Sequence, residues 1–77
     1  MPDVNEYQAM IEAALPGSTV EVIDHGGGDH LSAEVVATQF AGLSRIEQHK
    51  LVYAAVKQYM DDGTIHALAL KTRTPED

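Results

Sequence analysis

Three consecutive glycines, Gly26-Gly27-Gly28, lie between two stretches of alternating character, and no other feature restricts this chain so tightly. Upstream, Ser18-Thr19-Val20-Glu21-Val22-Ile23-Asp24 is β-branched and alternating, the pattern of a strand. Downstream, Leu31, Ala33, Val35 and Ala37 fall on one face and Ser32, Glu34, Val36 and Thr38 on the other. A triple glycine suits neither a helix interior nor a strand interior. His25 to His30 is therefore a loop, and the two strands form an antiparallel hairpin with a flexible tip.

Helical signals flank the hairpin. Asp3 followed by Glu6 has the spacing of a capping box, and Val4, Tyr7, Met10, Ile11, Ala14 and Leu15 make one apolar stripe that Pro16-Gly17 ends. Ser44 and Glu47 repeat the capping box. Ile46, His49, Val52, Tyr53, Val56, Tyr59 and Met60 then predict one broad helical stripe, closed by Gly63. Thr64 to Lys71 reads as a third strand with Leu68 and Leu70 on one face, and residues 72–77 read as a loose polar tail.

The order is α-β-β-α-β. A strand–helix–strand crossover sets the third strand parallel to the second, so the sheet is three-stranded and mixed. Both helices cover one face of it. The expectation is a single two-layer α+β domain over residues 1–77.

Size and charge exclude several functions. A chain of 77 residues buries only about 60–65% of its unfolded surface, which leaves little room for a deep catalytic cavity. Five Lys+Arg against twelve Asp+Glu give a net charge of −7. That balance opposes tight binding to duplex DNA and docking on an anionic membrane. There is no cysteine, hence no disulfide, no thiolate nucleophile and no self-sufficient iron–sulfur site. No apolar run approaches the ~20 residues that span a bilayer, and no signal-peptide pattern opens the chain. The expected setting is the cytoplasm.

No nucleophilic triad is present, and Ser44 is accounted for as a helix cap. The glycine run joins two strands instead of opening a helix, so it lacks the amide array of a phosphate loop. Asp61-Asp62 reads as a solvated helix end. The four histidines say more. His30 opens the second strand and His66 lies at the start of the third. Parallel neighbours start at the same sheet edge, ~4.8 Å apart, so the two imidazoles converge beside the loop. Two imidazoles are half of a tetrahedral metal set, and solvent, a carboxylate such as Asp29 or a partner must complete it. The bland alternative is two exposed polar residues at strand ends. His25 is an alternative to His30 on the other arm of the loop. His49, on the apolar stripe, reads as a packed, hydrogen-bonded histidine.

Phe40-x-Gly42-x-Ser44-Arg45, Gln48-His49-Lys50-x-Val52-Tyr53 and Ile65-His66-Ala67-Leu68-x-Leu70-Lys71-Thr72 resemble the BolA-like family over nearly the whole chain. The resemblance implies a class II KH-like fold without the Gly-x-x-Gly loop that clamps nucleic acid. It implies a non-enzymatic protein that pairs with a monothiol glutaredoxin around a bridging 2Fe–2S cluster. The glutaredoxin cysteine and glutathione would supply thiolates, His66 one histidine ligand, and the hairpin loop the other. Counting back ten from the family's phenylalanine, Phe40, favours His30 for that role. The isolated chain would then hold no cofactor and be a monomer or a weak homodimer. Histidine ligation would raise the cluster's potential and make its retention pH-sensitive. The family's basic Arg-His-Arg segment is Gln48-His49-Lys50 here, which weighs against the alternative role, a KH-like nucleic-acid-binding regulator.

Overall fold

The computed structural model describes residues 2–76. In chain order its elements are α1 (Val4–Ala14), β1 (Thr19–Asp24), β2 (His30–Val36), a 3-10 turn (Thr38–Phe40), α2 (Arg45–Ala55), α3 (Lys57–Asp61) and β3 (Ala67–Arg73). The sheet order is β1-β2-β3, with β1 antiparallel and β3 parallel to the central β2. This is the expected mixed, three-stranded α+β architecture.

Burial follows the alternation. Leu31, Ala33 and Val35 of β2 point into the core with Val20 and Val22 of β1 and Leu68 of β3. Tyr7 and Ile11 of α1, Val52 of α2, Val56 and Phe40 close over them. Both capping boxes form. Asp3 accepts from the Glu6 N–H at 2.9 Å, and the Ser44 hydroxyl accepts from the Glu47 N–H at 3.2 Å. Each caps amides that the first helical turn leaves without partners.

The helices also reach the sheet's edges. Gln8 Oε1 accepts the Val22 N–H at 3.0 Å on β1, and the Tyr53 hydroxyl donates to the Leu68 carbonyl at 3.0 Å on β3. Each removes one open backbone group from an edge strand.

Three expectations are corrected. The second helix is not continuous to Met60. It breaks at Val56 (φ −119°, ψ 19°), whose N–H bonds to Tyr53 O, three residues back. No residue at 56 forbids a helix, so the break comes from packing. Val56 is fully buried, and the restart in α3 sets Tyr59 edge-on against Tyr7, with centroids 5.7 Å apart at 82°. Ile46 is 69% exposed instead of sharing the buried stripe. At 3.6 residues per turn it stands about 120° from Val52.

The third correction concerns β3. It begins at Ala67 rather than Thr64 and runs two residues into the segment expected to be a tail. Thr72 and Arg73 pair with Val35 and Val36, and Arg73 O accepts the Ala37 N–H at 3.1 Å. The partner strand continues to Val36, so backbone pairing extends β3 despite its polar side chains. The two aspartates at the end of α3 are also accommodated. Asp61 pairs with Lys57, and Asp62 accepts the Thr64 N–H at 2.8 Å. The Thr64 hydroxyl and N–H together hold the Asp62 carboxyl below its ordinary pKa.

Candidate functional site

The site is built from the glycine loop outward. Asp24 ends β1, and its Oδ1 accepts the N–H groups of Gly26 at 2.8 Å and Gly28 at 3.2 Å. This is an Asx turn, in which a side chain organises the backbone just beyond it. The glycines are needed for conformation: Gly26, Gly27 and Gly28 have φ of 131°, 77° and 79°. A Cβ at Gly27 would also stand 3.0 Å from Asp29 Oδ1. The tip is therefore a shaped turn held by Asp24, and not the unstructured hinge that three glycines suggest.

The loop delivers Asp29 to β3. Its carbonyl accepts two amides, His66 N–H at 2.8 Å and Ala67 N–H at 3.1 Å. His66 thus sits one residue before β3, outside the strand expected to carry it, yet its backbone is fixed by the hairpin. His30 is the first residue of β2 and is the register partner of Ala67. The two rings lie parallel, with centroids 5.8 Å apart and planes 3° from each other.

Both side chains face solvent, His30 59% exposed and His66 73% exposed. Asp29 Oδ2 lies 3.9 Å from His30 Nε2 and 3.9 Å from His66 Nδ1, too far for a hydrogen bond. The convergence of His30 and His66 is thus present in the structure. His25 is not part of it: its Nε2 and the Ser32 Oγ share a hydrogen bond of 2.9 Å. His49 is half-buried on α2, and its ring makes no hydrogen bond among the described residues, unlike the bonded histidine expected there.

Among the described residues, no group of three or more His, Cys, Asp or Glu side chains could hold a metal ion. Two nitrogen donors alone cannot close a coordination sphere. They could serve a metal group only if its remaining ligands came from a second molecule. Parallel, exposed and unengaged by hydrogen bonds, the rings are open to such a contact.

Gln48 has a structural role. Its Nε2 donates to Leu43 O at 3.0 Å and to Phe40 O at 3.4 Å, and its Oε1 accepts the Thr72 hydroxyl at 2.7 Å. A neutral amide, able both to donate and to accept, ties α2 to the loop before it and to the end of β3.

A family model described as BolA-like protein matches residues 11–77. The chain belongs to the BolA-like family. Acid stress protein IbaG of Escherichia coli K12 is 36% identical over 73 residues, covering 95% of this chain and 84% of that protein. The solved bolA homologue from Coxiella burnetii is 38% identical, with a TM-score of 0.76 over 99% of this chain and 95% of its own. The crystal structure of a bol-like protein from Babesia bovis reaches a TM-score of 0.85 at 27% identity, covering 99% of this chain and 88% of its own. The α+β arrangement that presents His30 and His66 is therefore a BolA-like fold. Among the described residues of this BolA-like protein, no helix is long and apolar enough to cross a membrane.

Proposed function

We propose that this BolA-like protein is a non-enzymatic adaptor that pairs with a monothiol glutaredoxin in the cytoplasm. In that pairing His66 and His30 are this chain's ligands to a bridging 2Fe–2S cluster, in iron–sulfur trafficking or iron and redox regulation. The observation that carries the reading is the His30–His66 pair itself, two parallel, exposed rings at 5.8 Å on backbone tied together through Asp29. The family resemblance supplies the partner and the cluster. The donor chemistry agrees with it, since the chain has no cysteine and must take its thiolates from elsewhere.

When bound, the cluster would supply one-electron redox chemistry or an iron–sulfur unit for transfer. This chain's residues hold and orient. The Asp29 carbonyl fixes the backbone of His66 and Ala67, and β2 fixes His30. The test is reconstitution with a monothiol glutaredoxin, glutathione, iron and sulfide, followed by visible circular dichroism. The mixed complex is expected to give a spectrum distinct from that of the glutaredoxin alone. His66→Ala is expected to abolish that difference while far-ultraviolet dichroism stays that of a folded protein. A folded His66→Ala protein with the wild-type visible spectrum would refute the assignment.

A further inference from the structure

The helices cover one face of the sheet and leave the other open. Across that open face the register sets residues in rows: Glu21, Glu34 and Lys71 in one, and Ile23, Ser32 and Ala69 in the next. Glu21, Ala69 and Lys71 are exposed, and Ile23 is 48% exposed. A shallow depression of 270 Å³ runs over both rows. Glu21 and Glu34 stand directly opposite each other as like charges, and Glu34 stands opposite Lys71, which offsets part of that repulsion and leaves Glu21 the acid without a cation beside it. Among the described residues neither these two carboxylates nor Lys71 has an ion pair or a side-chain hydrogen bond. The face is therefore split, with two unpaired anions on β1 and β2 and an unpaired cation on β3.

We infer that this open face is the contact of a two-fold homodimer whose sheets pack face to face about an axis parallel to the strands. The charges select that axis. A two-fold axis across the strands would lay β1 on its own copy, acid against acid. An axis along the strands lays β1 of one protomer over β3 of its partner and keeps each row at its own height. Glu21 then meets the partner's Lys71, twice. Ile23 meets the partner's Ala69, twice, a large side chain on a small one. The two Glu34 side chains meet at the axis, with a lysine on either side. Packed sheets are ~10 Å apart and turned by about 30°, which displaces neighbouring rows by only about 2–3 Å at one strand spacing. Lysine and glutamate span that offset.

The footprint is small. Three strands of six residues cover roughly 300 Å², well below the ~800 Å² per partner of a standard interface. The dimer is therefore weak, populated near ~1 mM protein and dissociated at ~10 μM.

Charge exchange tests this without reference to any glutaredoxin. Sedimentation equilibrium from ~10 μM to ~1 mM would compare wild type, Glu21→Lys, Lys71→Glu and the double exchange, each first shown folded by far-ultraviolet dichroism. Wild type should rise toward dimer mass. Each single exchange should weaken association about tenfold or more, and the double exchange should restore it to within about threefold. Glu21→Lys carries the discriminating sign: it changes the net charge from −7 to −5, so general repulsion alone would strengthen association. Dilution should move the amide resonances of Ile23 and Ala69. A wild type monomeric at ~1 mM, a Glu21→Lys variant associating as well as wild type, a double exchange no better than the singles, or shifts confined to α2 and α3 would each overturn the inference.

Discussion

Gln48→Ala should destabilise this small domain out of proportion to the position's surface appearance. The amide makes two bonds of good length, to Leu43 O at 3.0 Å and from the Thr72 hydroxyl at 2.7 Å, and a long third one to Phe40 O at 3.4 Å. Each good bond contributes about 0.5–1.5 kcal/mol net, so the loss should be about 1–3 kcal/mol. Alanine's better helix propensity returns only a few tenths of that, roughly. For a domain of this length each kcal/mol moves Tm by about 4–8 °C, which predicts a drop of roughly 5–20 °C. The decisive measurement is a double-mutant cycle with Thr72→Val, read by urea unfolding under far-ultraviolet dichroism. Thr72→Val keeps the shape and removes the donor, so the double variant should lose about 1 kcal/mol less than the sum of the singles. A coupling below ~0.3 kcal/mol, or a Gln48→Ala protein within ~0.5 kcal/mol of wild type, would refute the view that this amide fastens β3 to α2.

Other expectations follow from the same geometry. His30→Ala should diminish the shared-cluster visible dichroism as much as His66→Ala does, because both backbones are anchored and His25 is engaged with Ser32; a clearly milder effect at His30 would show that the loop lets another donor substitute. Gly27→Ala should cost about 1–3 kcal/mol, since it forces a side chain into positive φ and against Asp29, and calorimetry should show the lowered Tm. Ser44→Ala should cost about 1 kcal/mol through loss of the α2 cap, read from the urea midpoint. The Ser44 N–H and hydroxyl hold the Glu47 carboxyl below its ordinary pKa. That stabilisation is therefore full at neutral pH and lost as pH falls through the carboxylate range. The stability gap between wild type and Glu47→Gln should close between about pH 5 and pH 3. A fluorescence titration with duplex DNA near 150 mM salt should show nothing approaching the ~10⁻⁸ M of specific binders, given the net charge of −7.

Most of the fold is written in local signals. Capping boxes at Asp3/Glu6 and Ser44/Glu47 start both helices where the sequence places them, and the alternation of Leu31, Ala33 and Val35 fixes which face of β2 is buried. What is not legible depends on partners distant in sequence. The break at Val56 has no glycine or proline to announce it, and the restart beyond it sets Tyr59 of α3 edge-on against Tyr7 of α1. The extension of β3 through Thr72 and Arg73 is decided by β2 and by Gln48, not by the polar residues themselves. Gln48 brings no charge. Its role turns on the ability of an amide to accept as well as donate, which arginine lacks.

The histidine pair follows the same division. Parallel pairing of β2 and β3 suffices to bring His30 and His66 to one edge, and pairing rules can be applied to a sequence. How firmly they are held is another matter, and it inverts the expectation drawn from the glycines. A triple-glycine loop suggests one mobile ligand beside one rigid ligand. Instead Asp24 closes the turn on Gly26 and Gly28, the turn delivers the Asp29 carbonyl to two amides of the opposite strand, and both imidazoles stand on backbone bonded to the same loop. The sequence signal was available: an aspartate two residues before a glycine is an Asx-turn pattern. In the proposed pairing, rigidity on this side would leave the adjustment on assembly to the glutaredoxin. On that reading, two prepositioned nitrogen donors and no thiolate would have little to rearrange when a thiolate-bearing partner arrived, and would be too few to retain a cluster once it left.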